Sequence, residues 1–201
     1  YESVMSLGNG HMGIRGNFEE DYSGNTLQGT YIAGVYYPDK TKVGWWKNGY
    51  PEYFAKVLNA TNFIGIKVLI NGINIDLAKV KVKDFSRVLN MKEGSLLRNF
   101  TVIDSENRET KIEVKRFLSM SELEIAAISY SITPLNHDAL VTLIPYLDGD
   151  VSNEDSNYNE KFWIEVNRSV DVGQGLLTMK TKKLDFHVTC AMKYAIKENG
   201  S

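Results

Sequence analysis

Cysteine is nearly absent. Cys190 is the one example in 201 residues, so no disulfide can form within the chain and packing must hold the fold. A lone thiol accords with a reducing compartment, and a cytoplasmic protein is expected. No charge of one sign dominates either: 23 Lys and Arg stand against 25 Asp and Glu, a net charge of -2. Without a basic stripe, nucleic acid is an unexpected partner. No apolar run approaches the length that spans a bilayer, and no charged segment followed by an apolar stretch marks a signal peptide. No membrane partner is expected. Histidine is scarce, and His11, His137 and His187 lack metal-ligand spacing, so they are read as surface or satisfied residues. The chain opens at Tyr1 without Met and is read as a piece of something longer. The Asn-x-Ser/Thr triplets at Asn59, Asn99 and Asn167 are read as chance matches.

What the chain does have is enough apolar content, 43%, to bury a proper core in one domain covering residues 1–201. Its periodicity is two. Ile66, Val68 and Ile70 alternate up to Asn71-Gly72, and Ile73, Ile75 and Leu77 alternate away from it. A two-residue Asn-Gly loop favours a type I′ hairpin because both residues tolerate positive φ. Ile70 then faces Ile73, Val68 faces Ile75, and Ile66 faces Leu77, all on one face. Leu96 to Ile103 and Thr110 to Leu118 flank the polar turn 104–108. Ile125 to Ile132 reads as a strand ended by Pro134, and Leu140 to Tyr146 as one whose Pro145 marks an edge or bulge. Phe162 to Val170 and Leu176 to Thr181 bracket Gly173-Gln174-Gly175, and Phe186 to Tyr194 is the last strand. Many strands between short turns predict an all-β, large antiparallel sandwich with little helix. The one helical candidate is short, with Pro51 in its first turn and Tyr53, Phe54, Val57 and Leu58 on one side.

Several segments imitate chemistry. Gly8-Asn9-Gly10-His11-Met12-Gly13 spells the dinucleotide fingerprint, which needs a preceding strand and a following helix to hold a pyrophosphate. No βαβ pattern follows, so a glycine-rich turn between strands is expected and no cofactor is assigned. Asp148-Gly149-Asp150 with Glu154 and Asp155 suggests calcium. However, Asn153 stands where an EF-hand loop needs glycine, and a hydrogen-bonded acidic turn is the better reading. No Ser/His/Asp or Cys/His set can be assembled, so no catalytic or metal residue is assigned. Trp45, Trp46, Lys47, Asn48 and Tyr50 form an aromatic segment beside glycine. Such rings stack on the apolar faces of sugars while amide and charged groups bond their hydroxyls. Large rings also anchor interdomain contacts, and that is the expectation here.

Taken together, the run Ser6-Leu7-Gly8-Asn9-Gly10-His11-Met12-Gly13-Ile14-Arg15-Gly16-Asn17-Phe18-Glu19-Glu20 resembles the opening signature of glycoside hydrolase family 65. Tyr31 to Tyr37, Gly44 to Glu52, Tyr146 to Val151 and Asn153 to Tyr158, with Phe162-Trp163, are similar to the maltose-phosphorolysing branch of that family. Leu89 to Gly94 is similar to a family turn, with Asn90 where Asp is usual. The resemblance implies a galactose-mutarotase-like β-super-sandwich ahead of an (α/α)₆ barrel. In such enzymes a barrel glutamate protonates the glycosidic oxygen while phosphate attacks the anomeric carbon from the opposite face. With maltose the products are β-glucose 1-phosphate and glucose. Phosphate takes the place of the water of an inverting hydrolase, so one protein carboxyl group suffices. It is a substrate there and not a cofactor.

On this reading the chain is a non-catalytic scaffold domain. Its partner is the downstream barrel of its own chain, and the parent is expected to be a homodimer. An autonomous carbohydrate-binding module and a free-standing interaction sandwich are the alternatives. An exposed apolar surface is expected around Trp45 to Phe54, with the Gly8 to Gly16 turn as second candidate.

Overall fold

Period-two sequence becomes strand wherever a neighbour can complete its hydrogen bonds. The computed structural model describes residues 1–42 and 44–198. In chain order these form β1 (Leu7–Gly8), β2 (Met12–Ile14), β3 (Thr30–Ile32), β4 (Tyr36–Lys40), β5 (Tyr53–Val57), β6 (Ile66–Ile70) and β7 (Ile73–Asn74). They continue with β8 (Lys81–Asn90), β9 (Ser95–Ile103), β10 (Glu109–Leu118), β11 (Ala126–Pro134) and β12 (Val141–Pro145). Last come β13 (Trp163–Asp171), β14 (Gln174–Thr181) and β15 (His187–Lys193). All pairings between named strands are antiparallel. Among the described residues no helix is long and apolar enough to cross a membrane. The chain is all-β, and it divides into two compact units, residues 1–33 with 64–145, and 34–63 with 146–201.

The first unit contains the sheets β1-β2-β3, β11-β10-β9-β8 and β12-β6-β7. Val68, Ile70 and Ile75 from the last of these meet Phe100, Val102, Ile112 and Val114 from β9 and β10 in one buried cluster. The Asn71-Gly72 hairpin forms as predicted: Ile70 pairs with Ile73, and both loop residues have positive φ, 51° and 79°. Ile75 donates to the Val68 carbonyl at 2.8 Å, so that expected facing also holds. Two details differ. Ile73 sits at the tip and is 51% exposed. The ladder stops before Ile66 and Leu77, whose N–H groups donate instead to the carbonyls of Glu19 (2.8 Å) and Asp21 (3.0 Å). Both side chains still pack on the cluster, but a segment distant in sequence has taken their backbones.

The second unit holds the sheets β4-β5 and β13-β14-β15. Its buried centre includes Tyr37, Leu58, Phe162, Trp163, Leu177 and Met179. Tyr37 stacks on Phe162 at 4.2 Å between centroids, and Trp163 Nε1 donates to the Asn59 carbonyl at 2.8 Å. The helix expected after Pro51 is not there. Residues Tyr53–Val57 form β5, paired with β4 from Lys40↔Tyr53 to Tyr36↔Val57. The same apolar spacing fits a short helix or a strand, and the available partner strand decides it. Pro145 does end an edge strand: β12 lies at the margin of its sheet with Pro145 opposite Ile66.

The Asn71-Gly72 turn is open to a direct test. Because a β-branched residue resists positive φ, Gly72→Val should cost about 1–2 kcal/mol. Urea unfolding should show a lower midpoint with an unchanged slope.

Candidate functional site

The aromatic segment is carried by the connection between β4 and β5. Thr41, fully buried, donates its N–H to the Glu52 carbonyl at 2.8 Å and its hydroxyl to the Pro51 carbonyl. These bonds close the loop at its base. Within it, Trp45–Asn48 form a single 3-10 turn, bracketed by Gly44 and Gly49 at φ 90° and 87°. Both conformations are readily open only to glycine. Trp45 is 45% exposed and Tyr50 53%, while Lys47 and Asn48 are exposed and Phe54 is half-buried. Trp45 and Tyr50 lie 6.1 Å apart and Tyr50 and Phe54 6.2 Å apart, as tilted and edge contacts. Lys42 Nζ sits 5.5 Å from the Trp45 ring centroid. The Trp46 side chain lies outside the described residues. What the structure brings together is therefore a short row of half-open rings with cations and an amide beside it.

Other motifs resolve into structure. The glycine run is the turn between β1 and β2, with Gly10 at φ 88°. Asn9 organises it: its Oδ1 accepts from the N–H groups of His11 (3.1 Å) and Met12 (2.9 Å). Its Nδ2 donates to the carbonyls of Ser119 (2.7 Å) and Leu123 (2.9 Å). The acidic run is a turn in which Asp148 Oδ1 accepts from the Asp150 N–H at 2.9 Å. A Cβ on Gly149 would meet Met179 Sδ at 2.5 Å, so glycine is needed for close approach. Among the described residues no group of three His, Cys, Asp or Glu could hold a metal. In the second unit the Tyr37 hydroxyl donates to Glu160 at 2.7 Å. Burial, then Glu160 and Asp39, push that phenol well above its ordinary range. It is a poor proton source near neutral pH.

The feature that sequence reasoning missed is a buried ionic network in the first unit. Arg116 and Arg98 are 1% and 3% exposed, and Glu19 and Glu20 are 2% and 4%. Arg116 Nη1 donates to Glu19 Oε1 at 2.7 Å and to the Asn17 carbonyl at 2.8 Å, and its Nη2 to the Arg15 carbonyl at 2.9 Å. Arg98 Nη2 bridges Glu19 and Glu20, with 2.9 and 2.6 Å to the Glu20 oxygens. The Tyr130 hydroxyl donates to Glu20. Burial pushes the Glu19 carboxyl up, but Arg116 and Arg98 outweigh it and hold the group below its ordinary value. Burial and the Glu20 charge raise the Tyr130 phenol. A signal was present: Leu96, Arg98, Phe100 and Val102, and likewise Ile112, Val114, Arg116 and Leu118, alternate in one phase. A charge at a core-phase position announces a buried partner.

Fold and site together define a strand-built chain, with buried ion pairs in its first unit and an exposed aromatic loop in its second. The chain belongs to glycosyl hydrolase family 65, whose N-terminal domain it matches over residues 1–201. It is 54% identical over 180 residues to the maltose phosphorylase of Bacillus subtilis (strain 168), covering 90% of this chain and 24% of that protein. It is 31% identical over 198 residues to the kojibiose phosphorylase of Thermoanaerobacter brockii, covering 98% and 24%. Among solved structures, a putative kojibiose phosphorylase from the human microbiome superposes with a TM-score of 0.83 at 30% identity, covering 98% of this chain and 26% of that one. The chain thus spans about a quarter of the length of the relatives it matches.

Arg116→Met should lower unfolding stability by about 3–5 kcal/mol, because Glu19 loses one buried partner. The lowered Glu19 carboxyl contributes stability that is fully present above its ordinary value of 4.5 and lost as pH falls through the folded value. Removing Arg116 raises that folded value, so circular dichroism should show acid unfolding beginning at higher pH in the variant.

Proposed function

We propose that this chain is the non-catalytic amino-terminal β-super-sandwich scaffold of an inverting disaccharide phosphorylase. In the full-length enzyme maltose and phosphate are converted to glucose and β-glucose 1-phosphate. A downstream (α/α)₆ barrel supplies the carboxyl group that protonates the glycosidic oxygen. The observation that carries this reading is the 54% identity to a maltose phosphorylase, over 90% of this chain but 24% of that protein. Identity to kojibiose phosphorylases is lower, at 28–36%, and to a trehalose phosphorylase 32%, which favours maltose as the disaccharide. A homodimeric, cytoplasmic parent completes the proposal.

Within this reading the Trp45, Tyr50 and Phe54 row is a contact surface, with Lys47 and Asn48 at its rim. Half-exposed rings on a loop closed at its base suit an interdomain anchor, since aromatic residues are enriched at interface cores. The row is tilted and edge-packed rather than a flat platform, which favours a protein contact over a stacked sugar.

Two measurements test the proposal. Incubated with maltose and phosphate, the 201-residue chain should release no glucose 1-phosphate, whereas the full-length protein should release the β-anomer. Turnover by the short chain would overturn the scaffold role. Tryptophan fluorescence of the chain should stay flat on titration with maltose, and a saturable change lost in Trp45→Ala would favour a sugar-binding module.

A further inference from the structure

Counted with its border, the charged core of the first unit does not balance. Two buried guanidinium groups, Arg98 and Arg116, share it with two carboxylates, Glu19 and Glu20, and a third, the half-buried Arg87, borders it. Arg98 and Arg116 are bound to those carboxylates. Arg87 is not, and among the described residues it makes no ion pair. The nearby Glu2 is committed to Arg15, Thr26 and Leu27. Arg87 is moreover the cross-strand partner of Arg98, and like charges opposite one another on a sheet repel. Both lie on Phe18, their guanidinium carbons 4.6 and 5.0 Å from its ring centroid. Phe85, 46% exposed, flanks Arg87 at 5.7 Å. Arg87 Nε and Arg98 Nη1 are buried with no hydrogen-bond partner among the described residues. Buried N–H groups ordinarily find acceptors.

We propose that Arg87 and Arg98 together hold one oxyanion, phosphate or a small carboxylate, beside the Phe18 ring. Arginine forks match both anions in paired, charge-assisted hydrogen bonds. An anion would supply acceptors for the idle N–H groups, neutralise the surplus cation and relieve the repulsion between the two arginines. Arg87 is half-buried and the Phe85 ring beside it is open to solvent. This site stands on residues of the first unit alone and is independent of the phosphorylase reading.

The test compares thermal unfolding of the full-length wild-type protein and Arg87→Gln in inorganic phosphate, acetate and chloride at equal ionic strength. Phosphate bound elsewhere shifts both proteins equally, so the difference between them isolates this site. At about ten times its dissociation constant the bound anion should raise the midpoint of the wild type, a protein about four times the length of this chain, by roughly 1 °C more than that of Arg87→Gln. A larger Arg87-dependent shift in phosphate identifies phosphate as the ligand, and a larger one in acetate identifies a carboxylate. Arg87→Lys keeps the charge and aliphatic stem but loses the fork, and should weaken the response about tenfold in concentration. This second variant covers the case in which Arg87→Gln does not fold. An equal response in wild type and both variants, or no Arg87-dependent shift with either anion, overturns the proposal.

Discussion

The Arg116–Glu19 ion pair is the constraint on which the first unit depends. Two ions removed from water incur a desolvation penalty of several kcal/mol each, offset only when geometry and extra hydrogen bonds are good. Here Arg116 also donates to the Asn17 and Arg15 carbonyls, and Glu19 receives Arg98 as well. The segment 15–20 is thereby tied to β9 and β10, and its backbone then serves others: the Glu19 carbonyl accepts from Ile66, and that of Asp21 from Leu77. A buried charge thus fixes where an otherwise irregular segment lies, and that segment in turn ends a hairpin ladder. Geometry makes this network a device of placement more than of net stability, since well-packed apolar groups often stabilise as much.

The second unit achieves the same closure with lighter means. Asp39, 1% exposed, meets Lys56 at 3.0 Å and accepts from the Asn157 N–H at 3.2 Å. Tyr37 lies between Phe162 and Lys183, whose Nζ is 4.8 Å from its ring centroid. These contacts fasten β4 to the segment ahead of β13. With the base of the loop after β4 held, Trp45 and Tyr50 can remain half-exposed without loosening the strands. Exposed rings on a fastened base are the physical content of the contact surface.

Much of the strand order was legible from local rules, because period two and turn chemistry act over a few residues. β9 and β10 fall at 95–103 and 109–118 and β13 to β15 at 163–193, within a residue or two of the sequence reading. The Asn71-Gly72 turn was fixed by the positive φ that both residues accept. Less was legible before residue 60, where β1 to β4 are two to five residues long and carry too few alternations to register. β8 was missed although it is ten residues long, since its charges and the shift between Lys83 and Ser86 break the alternation.

By itself, then, the sequence determined the all-β class, the long hairpins and the family, since each rests on local spacing or on motifs read in line. Only the tertiary structure decided that Tyr53–Val57 is a strand, because β4 supplies the partner that an apolar spacing alone leaves open. It alone decided that Glu19 and Glu20 are buried rather than solvated, because their arginines stand 78 to 97 residues away. And it alone left Arg87 beside Arg98 without a carboxylate of its own, a juxtaposition created by strand register and invisible along the chain.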